Sequence, residues 1–158
     1  MTKRLIVGWG NPVVGDDGFG WRVVDLLADL VGDRVDVELR KSSMSGMRLV
    51  EAFLDYERVI LIDAAITGEP VGTVGREDLS PVAAAPADRG GHDEPFLAAL
   101  ARARTLAADR FPREITVYRC AIEPETQWKD ALSPAVEAAA HAAAQHIRGE
   151  IEEEVAVG

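Results

Sequence analysis

Cysteine is nearly missing from this chain: Cys120 stands alone among 158 residues. A single thiol excludes an internal disulfide and agrees with a reducing compartment. Positive charge is scarce as well, with 17 Lys and Arg against 27 Asp and Glu and a formal net charge of −10. Such a field repels nucleic acid and anionic membrane at long range, which excludes a general surface for either, and it favours cationic partners such as metal ions or basic peptide segments. No apolar run approaches membrane-spanning length, and Leu5 to Val7 is too short for a secretory signal. A cytoplasmic location is expected, and at this size a monomer.

What is present is an alternation of two periodicities. Lys3 to Gly8 reads as a buried strand, and Gly20, Val23, Val24, Leu27, Leu30 and Val31 follow at helical spacing. Val35, Val37 and Leu39 alternate as a half-exposed strand, before a helix with Met47, Val50, Phe53 and Leu54 on its inner face. Arg58 to Asp63 is the most continuously apolar strand and so is expected at the centre of the sheet. Val71 to Arg76 predicts a short strand, and the Pro- and Ala-rich stretch from Ser80 to Gly91 a long loop. Phe96, Leu97, Leu100 and Ala107 predict a third helix, and Ile115 to Ala121 a last strand. Ser133 and Pro134 supply an N-cap and a first-turn proline for a closing helix faced by Val136, Ala139, Ala140, Ala143 and Ile147. Residues 1–149 are therefore expected to form one α/β domain, a three-layer α/β/α sandwich with a mostly parallel sheet, and 150–158 a frayed acidic tail.

In such sheets ligands bind beyond the carboxyl ends of the strands, where the first loop reads GWGNPVVGDDGFGW. It holds the place of a phosphate loop. A dinucleotide fingerprint would need glycine where Val13 stands, however, and a nucleotide-hydrolase loop would need Lys-Ser/Thr after its last glycine. Asp16 and Asp17 already bring negative charge to the helix end, where a phosphate would be repelled. One of them can cap the first helix, leaving the other to project from the sheet edge. Asp63 ends the central strand at that edge, and His92 lies in RGGHDEPF before the third helix. Separately, each has a plain structural reading: cap, turn, solvated histidine. Together, two carboxylates and an imidazole suit an ion such as Ni²⁺ or Zn²⁺ and leave a position open for substrate.

Other chemistry-bearing residues read as structural. His141 and His146 lie off the apolar stripe of the last helix, and Cys120 sits inside an apolar strand with no sign of an activated thiolate. Met44 and Met47 read as packing, and Ser43 and Ser45 lack the context of a nucleophile elbow. Trp9 and Trp21 bracket the glycine loop, where packing and shielding explain them equally well.

GWGNPVVGDDGFGWRVVDLL, SSMSGMRLV, RVILIDAA and LSPAVEAAA together resemble the hydrogenase maturation proteases, endopeptidases that trim the C-terminus of nickel-iron hydrogenase large subunits. The resemblance runs over nearly the whole chain. It implies a five-stranded mixed sheet of the phosphorylase/hydrolase-like kind, with the fourth strand antiparallel. By position, the family's metal-contacting acidic residue falls on Asp17, its strand-end aspartate on Asp63 and its histidine on His92. These three are the implied catalytic and metal-facing groups. The nickel they engage is implied to arrive in the precursor, the protein substrate, and no organic cofactor is expected. Two alternatives stay open at this point: a non-catalytic nickel-dependent binding or chaperone module for an immature metalloenzyme subunit, and a small-molecule hydrolase on the same fold. A cysteine peptidase pairing Cys120 with His92 ranks behind both.

Overall fold

A computed structural model describes residues 3–79 and 93–157 of the chain. In chain order the elements are β1 (Arg4–Trp9), a 3₁₀ turn (Gly15–Gly18), α1 (Phe19–Val31), β2 (Val37–Ser42), α2 (Gly46–Glu51) and β3 (Arg58–Ala65). They are followed by β4 (Val74–Asp78), α3 (Asp93–Leu106), β5 (Glu114–Ala121) and α4 (Pro134–Val157). The strands form one sheet in the order β2-β1-β3-β5-β4. β1, β2, β3 and β5 run parallel and β4 pairs antiparallel with β5, so the expected mixed sheet is present with its odd strand at the edge.

β3 lies at the centre of the sheet, as its unbroken apolar run predicts. Alternate residues on each strand feed two cores. Ile6, Ile60, Ile62, Tyr118 and Cys120 pack beneath α1 and α4. Leu5, Val7, Val59, Leu61, Ile115 and Val117 pack beneath α2 and α3, whose contributions include Leu49, Val50, Phe96 and Leu100. Among the described residues no helix is long and apolar enough to cross a membrane.

β2 begins at Val37, leaving Val35 outside it, and α2 ends at Glu51, before Phe53 and Leu54; three further differences from the sequence reading have a visible cause. β4 begins three residues later than predicted, at Val74, because Pro70 to Thr73 closes a turn in which the Thr73 N–H donates to the Pro70 carbonyl at 3.0 Å. β3 runs two residues further, to Ala65, since its ladder with β5 continues to Ala121. The frayed tail expected from Glu150 is instead the last part of α4. Ile151 is 3% exposed in the core, and Glu150 binds Arg76 at 2.7 Å and the Tyr118 hydroxyl, so burial and ion pairing extend the helix beyond the alanine-rich stripe.

The glycines of the first loop have a packing role. A Cβ on Gly20 would lie 2.7 Å from the Trp9 amide nitrogen and closer still to the Ile62 carbonyl oxygen. One on Gly8 would lie 2.6 Å from the Gly20 carbonyl carbon. Helix and strands thus meet backbone to backbone, a distance that only glycine allows. Gly20→Ala is expected to cost about 3 kcal/mol, since the obstructing atoms are main chain and cannot turn aside. Gly149→Ala, in open space within α4, should stabilise by about 1 kcal/mol through helix propensity. Urea unfolding of the two variants against wild type measures both.

Candidate functional site

The chain leaves β1 for β2 on one side, while β3 lies on β1's other side. The connections that follow β1 and β3 therefore lead to opposite edges of the sheet around a topological switch point, the place where open α/β sheets hold ligands. The loops after β1 and β3 flank it, and the 3₁₀ turn carrying Asp16 and Asp17 packs against β3.

The two neighbouring aspartates have separate roles. Asp16 Oδ1 accepts the Ser133 N–H at 2.7 Å and its Oδ2 accepts the Ser133 hydroxyl at 2.9 Å. It therefore fastens the turn to the start of α4, adding a carboxylate to the positive end of that helix. α1, by contrast, has Gly18 at its N-cap and no side-chain cap, so the expected capping of the first helix does not occur. Asp17 turns the other way, and its Oδ2 accepts the Asn11 N–H at 2.9 Å. This keeps a half-buried carboxylate folded over the end of β1.

Asp63 is 8% exposed and lies inside β3, on the face shared with Val59 and Leu61. Its Oδ1 accepts the Ala64 N–H at 2.8 Å, and its Oδ2 lies 4.0 Å from Nε of Arg119, its register partner on β5. Arg119 reaches on to Glu77 Oε2 at 3.5 Å. A buried carboxylate is costly without compensation, and this guanidinium offsets the cost. Arg119 is the residue that sequence reasoning missed. Its signal was an arginine in phase with the apolar Ile115, Val117 and Ala121. Beside the pair lies a cavity of about 190 Å³, lined by Thr67, Glu69, Thr73, Glu77, Arg119 and Ala121 among others.

His92 lies outside the described residues, as does the predicted loop from Ser80 to Gly91. Among the described residues no three His, Cys, Asp or Glu side chains gather closely enough to hold a metal ion. The remaining candidates are structural. Cys120 is fully buried on the α1 and α4 side, and burial pushes its thiol up to about 11, which leaves it neutral and inert near neutral pH. His141 and His146 sit on the outer surface of α4 beside Glu137 and Glu150. Trp9 packs on Phe96 with centroids 5.8 Å apart, and the Trp21 indole N–H donates to the Ser42 carbonyl at 3.2 Å.

Comparison with known proteins agrees with this architecture. A sequence model of the family described as hydrogenase maturation protease matches residues 21–150. No curated protein gives a significant match. Among solved structures, the hydrogenase maturating endopeptidase HybD from Escherichia coli is similar with a TM-score of 0.79 at 22% identity, over 97% of this chain and 94% of that one. The hydrogenase 2 maturation peptidase of a Thaumarchaeota archaeon is similar with a TM-score of 0.68 at 29% identity, over 95% and 98%. The [NiFe] hydrogenase maturation protease HycI of Thermococcus kodakarensis gives 0.66 at 24%, over 94% and 91%.

Two measurements test this account. Arg119→Gln is expected to cost about 3 kcal/mol by removing the guanidinium beside buried Asp63, and Asp63→Asn with Arg119→Gln less than the sum of the single changes. A double-mutant cycle by urea unfolding reads that coupling. The Cys120 thiol, raised in the folded state, contributes stability that is full below about pH 9 and is lost as pH climbs toward 11. Tyr118, also pushed up by burial, acts in the same direction at higher pH. Melting temperature should fall over that window, and less steeply in Cys120→Ala.

Proposed function

Since the chain belongs to the hydrogenase maturation protease family, a family of endopeptidases, we propose that it removes a C-terminal peptide from the nickel-loaded precursor of a hydrogenase large subunit. In this reading Asp17, Asp63 and His92 face the nickel that the precursor carries. The observation supporting it most directly is the pair of carboxylates at the switch point. Asp17 is held over the end of β1 by the Asn11 amide, and Asp63 is kept beside a guanidinium within β3.

Peptide hydrolysis needs an attacking water, a base for its proton and a polarised carbonyl. Nickel carried by the substrate would anchor the precursor against Asp17, Asp63 and His92 and would supply Lewis acidity toward the carbonyl or the water. A carboxylate at the loop accepts the proton, a role that suits half-buried Asp17 better than buried Asp63, whose neighbours hold it in place as a ligand. Loop and strand contribute one group each, so the site is assembled only when α1 is seated. The acidic charge of the chain, −10, suits a precursor tail with basic residues, and the reaction belongs in the cytoplasm, where the lone thiol stays reduced.

In vitro cleavage of purified nickel-loaded precursor, followed by mass spectrometry, tests the proposal. Wild-type protein should release one C-terminal peptide and leave metal-free precursor intact. Asp17→Asn and Asp63→Asn should each slow release by about 100-fold or more, with Asp17→Asn keeping its melting temperature. Cleavage by both variants at the wild-type rate sinks the mechanism. A stable complex with intact precursor would mean a binding module in place of a peptidase.

A further inference from the structure

Trp128 is 83% exposed, the most exposed large apolar side chain among the described residues, and nothing in the reaction above uses it. It is held on a stiff support. Glu125 Oε1 accepts the N–H groups of Thr126 and Gln127, each at 3.0 Å, and Glu125 Oε2 pairs with Lys129 at 3.2 Å. The Lys129 N–H donates to the Val13 carbonyl at 2.9 Å, and the Gly15 N–H donates to the Lys129 carbonyl at 2.8 Å. This small parallel bridge fixes Trp128 next to Val13, itself 38% exposed, and ties both to the turn that carries Asp17.

Beside this ridge opens a cavity of about 380 Å³ whose lining includes Pro12, Trp21, Leu132, Arg22 and the acidic residues Asp25, Asp130 and Glu137. Two of these carboxylates are already paired within the chain, Glu137 with Arg22 at 2.8 Å and Asp25 with Lys41, which leaves Asp130 as the carboxylate the groove offers to a partner. An exposed tryptophan on an ordered loop loses little conformational freedom on binding, and tryptophan is prominent among the residues that dominate interface energies.

We infer that Trp128, Val13 and the groove beside them, with Asp130 in its lining, dock the body of the precursor, through a segment that presents a large apolar side chain flanked by lysine or arginine. The inference rests on the proposed function. Three observations select this occupant: the ridge is continuous, through backbone hydrogen bonds, with the Asp17 turn; the groove lining carries the carboxylate of Asp130 beyond the internal pairs of Glu137 and Asp25; and the chain as a whole is strongly negative. Trp128 acts as a docking residue and takes no part in bond breaking.

The test is cleavage and binding of purified nickel-loaded precursor by full-length Trp128→Ala, Trp128→Tyr and Asp130→Lys proteins. Trp128→Ala should raise KM and the dissociation constant about tenfold or more with kcat and melting temperature unchanged, and Trp128→Tyr should restore most of the loss. Asp130→Lys should weaken binding too, and an unchanged KM there overturns the basic character of the partner segment. If wild type cleaves the precursor and Trp128→Ala does so with the same KM, the docking surface is wrong while the peptidase reading stands. If wild type binds without cleaving and Trp128→Ala weakens that binding, docking stands and the peptidase reading falls. A wild-type protein that neither binds nor cleaves overturns both.

Discussion

Helix α1 rests directly on the backbone of β1 and β3, and the position of the candidate site depends on that contact. Gly8 and Gly20 face each other without side chains, and Gly20 also lies against the Ile62 carbonyl. Any side chain at either glycine would lift the helix from the sheet. With the helix seated, the 3₁₀ turn before it must cross the carboxyl edge of β3, and its two aspartates arrive at the switch point. The same close approach continues at Gly10, whose missing Cβ makes room for the Asp17 main chain. A glycine loop of this kind ordinarily brings backbone close to phosphate. Here it brings backbone close to backbone and delivers acid to the sheet edge.

Each carboxylate at that edge has a different partner, and the partners explain the division of labour. Asp16 is committed to Ser133 and so joins the turn to α4 across the molecule. Asp17 is tied to its own loop through the Asn11 amide, which orders it without removing it from the edge. Asp63 is buried, and Arg119 makes that burial tolerable. The arginine connects three adjacent strands, from Asp63 on β3 through β5 to Glu77 on β4, so the antiparallel edge strand takes part in holding the central carboxylate.

Much of this fold was legible because it is local. Periodicity of 2 and of 3.6 located the strands and helices, and the uninterrupted apolar run RVILI marked β3 as central. Pro134 announced the start of α4 as a proline at the first helical position. At the chain's end and at Arg119, where the reading failed, a distant partner had overridden the local signal. The acidic composition after Glu150 suggested fraying, yet Arg76 and Tyr118, far back in sequence, hold that stretch in a helix and Ile151 reaches the core. Arg119 looked like an ordinary strand residue because its meaning lies with Asp63, on a different strand.

The sequence by itself determined that this chain alternates strands and helices, that its first loop is rich in glycine and negative rather than positive, and that a further aspartate closes the apolar run of the central strand. Those properties follow from spacing and charge, which a linear pattern carries. The tertiary structure alone decided which aspartate anchors α4, which is buried beside a guanidinium and which stays folded over the loop. Asp16 and Ser133 are 117 positions apart, and no local pattern can announce a hydrogen bond over such a separation. Two adjacent, chemically identical side chains thus acquire opposite roles from where the fold points them.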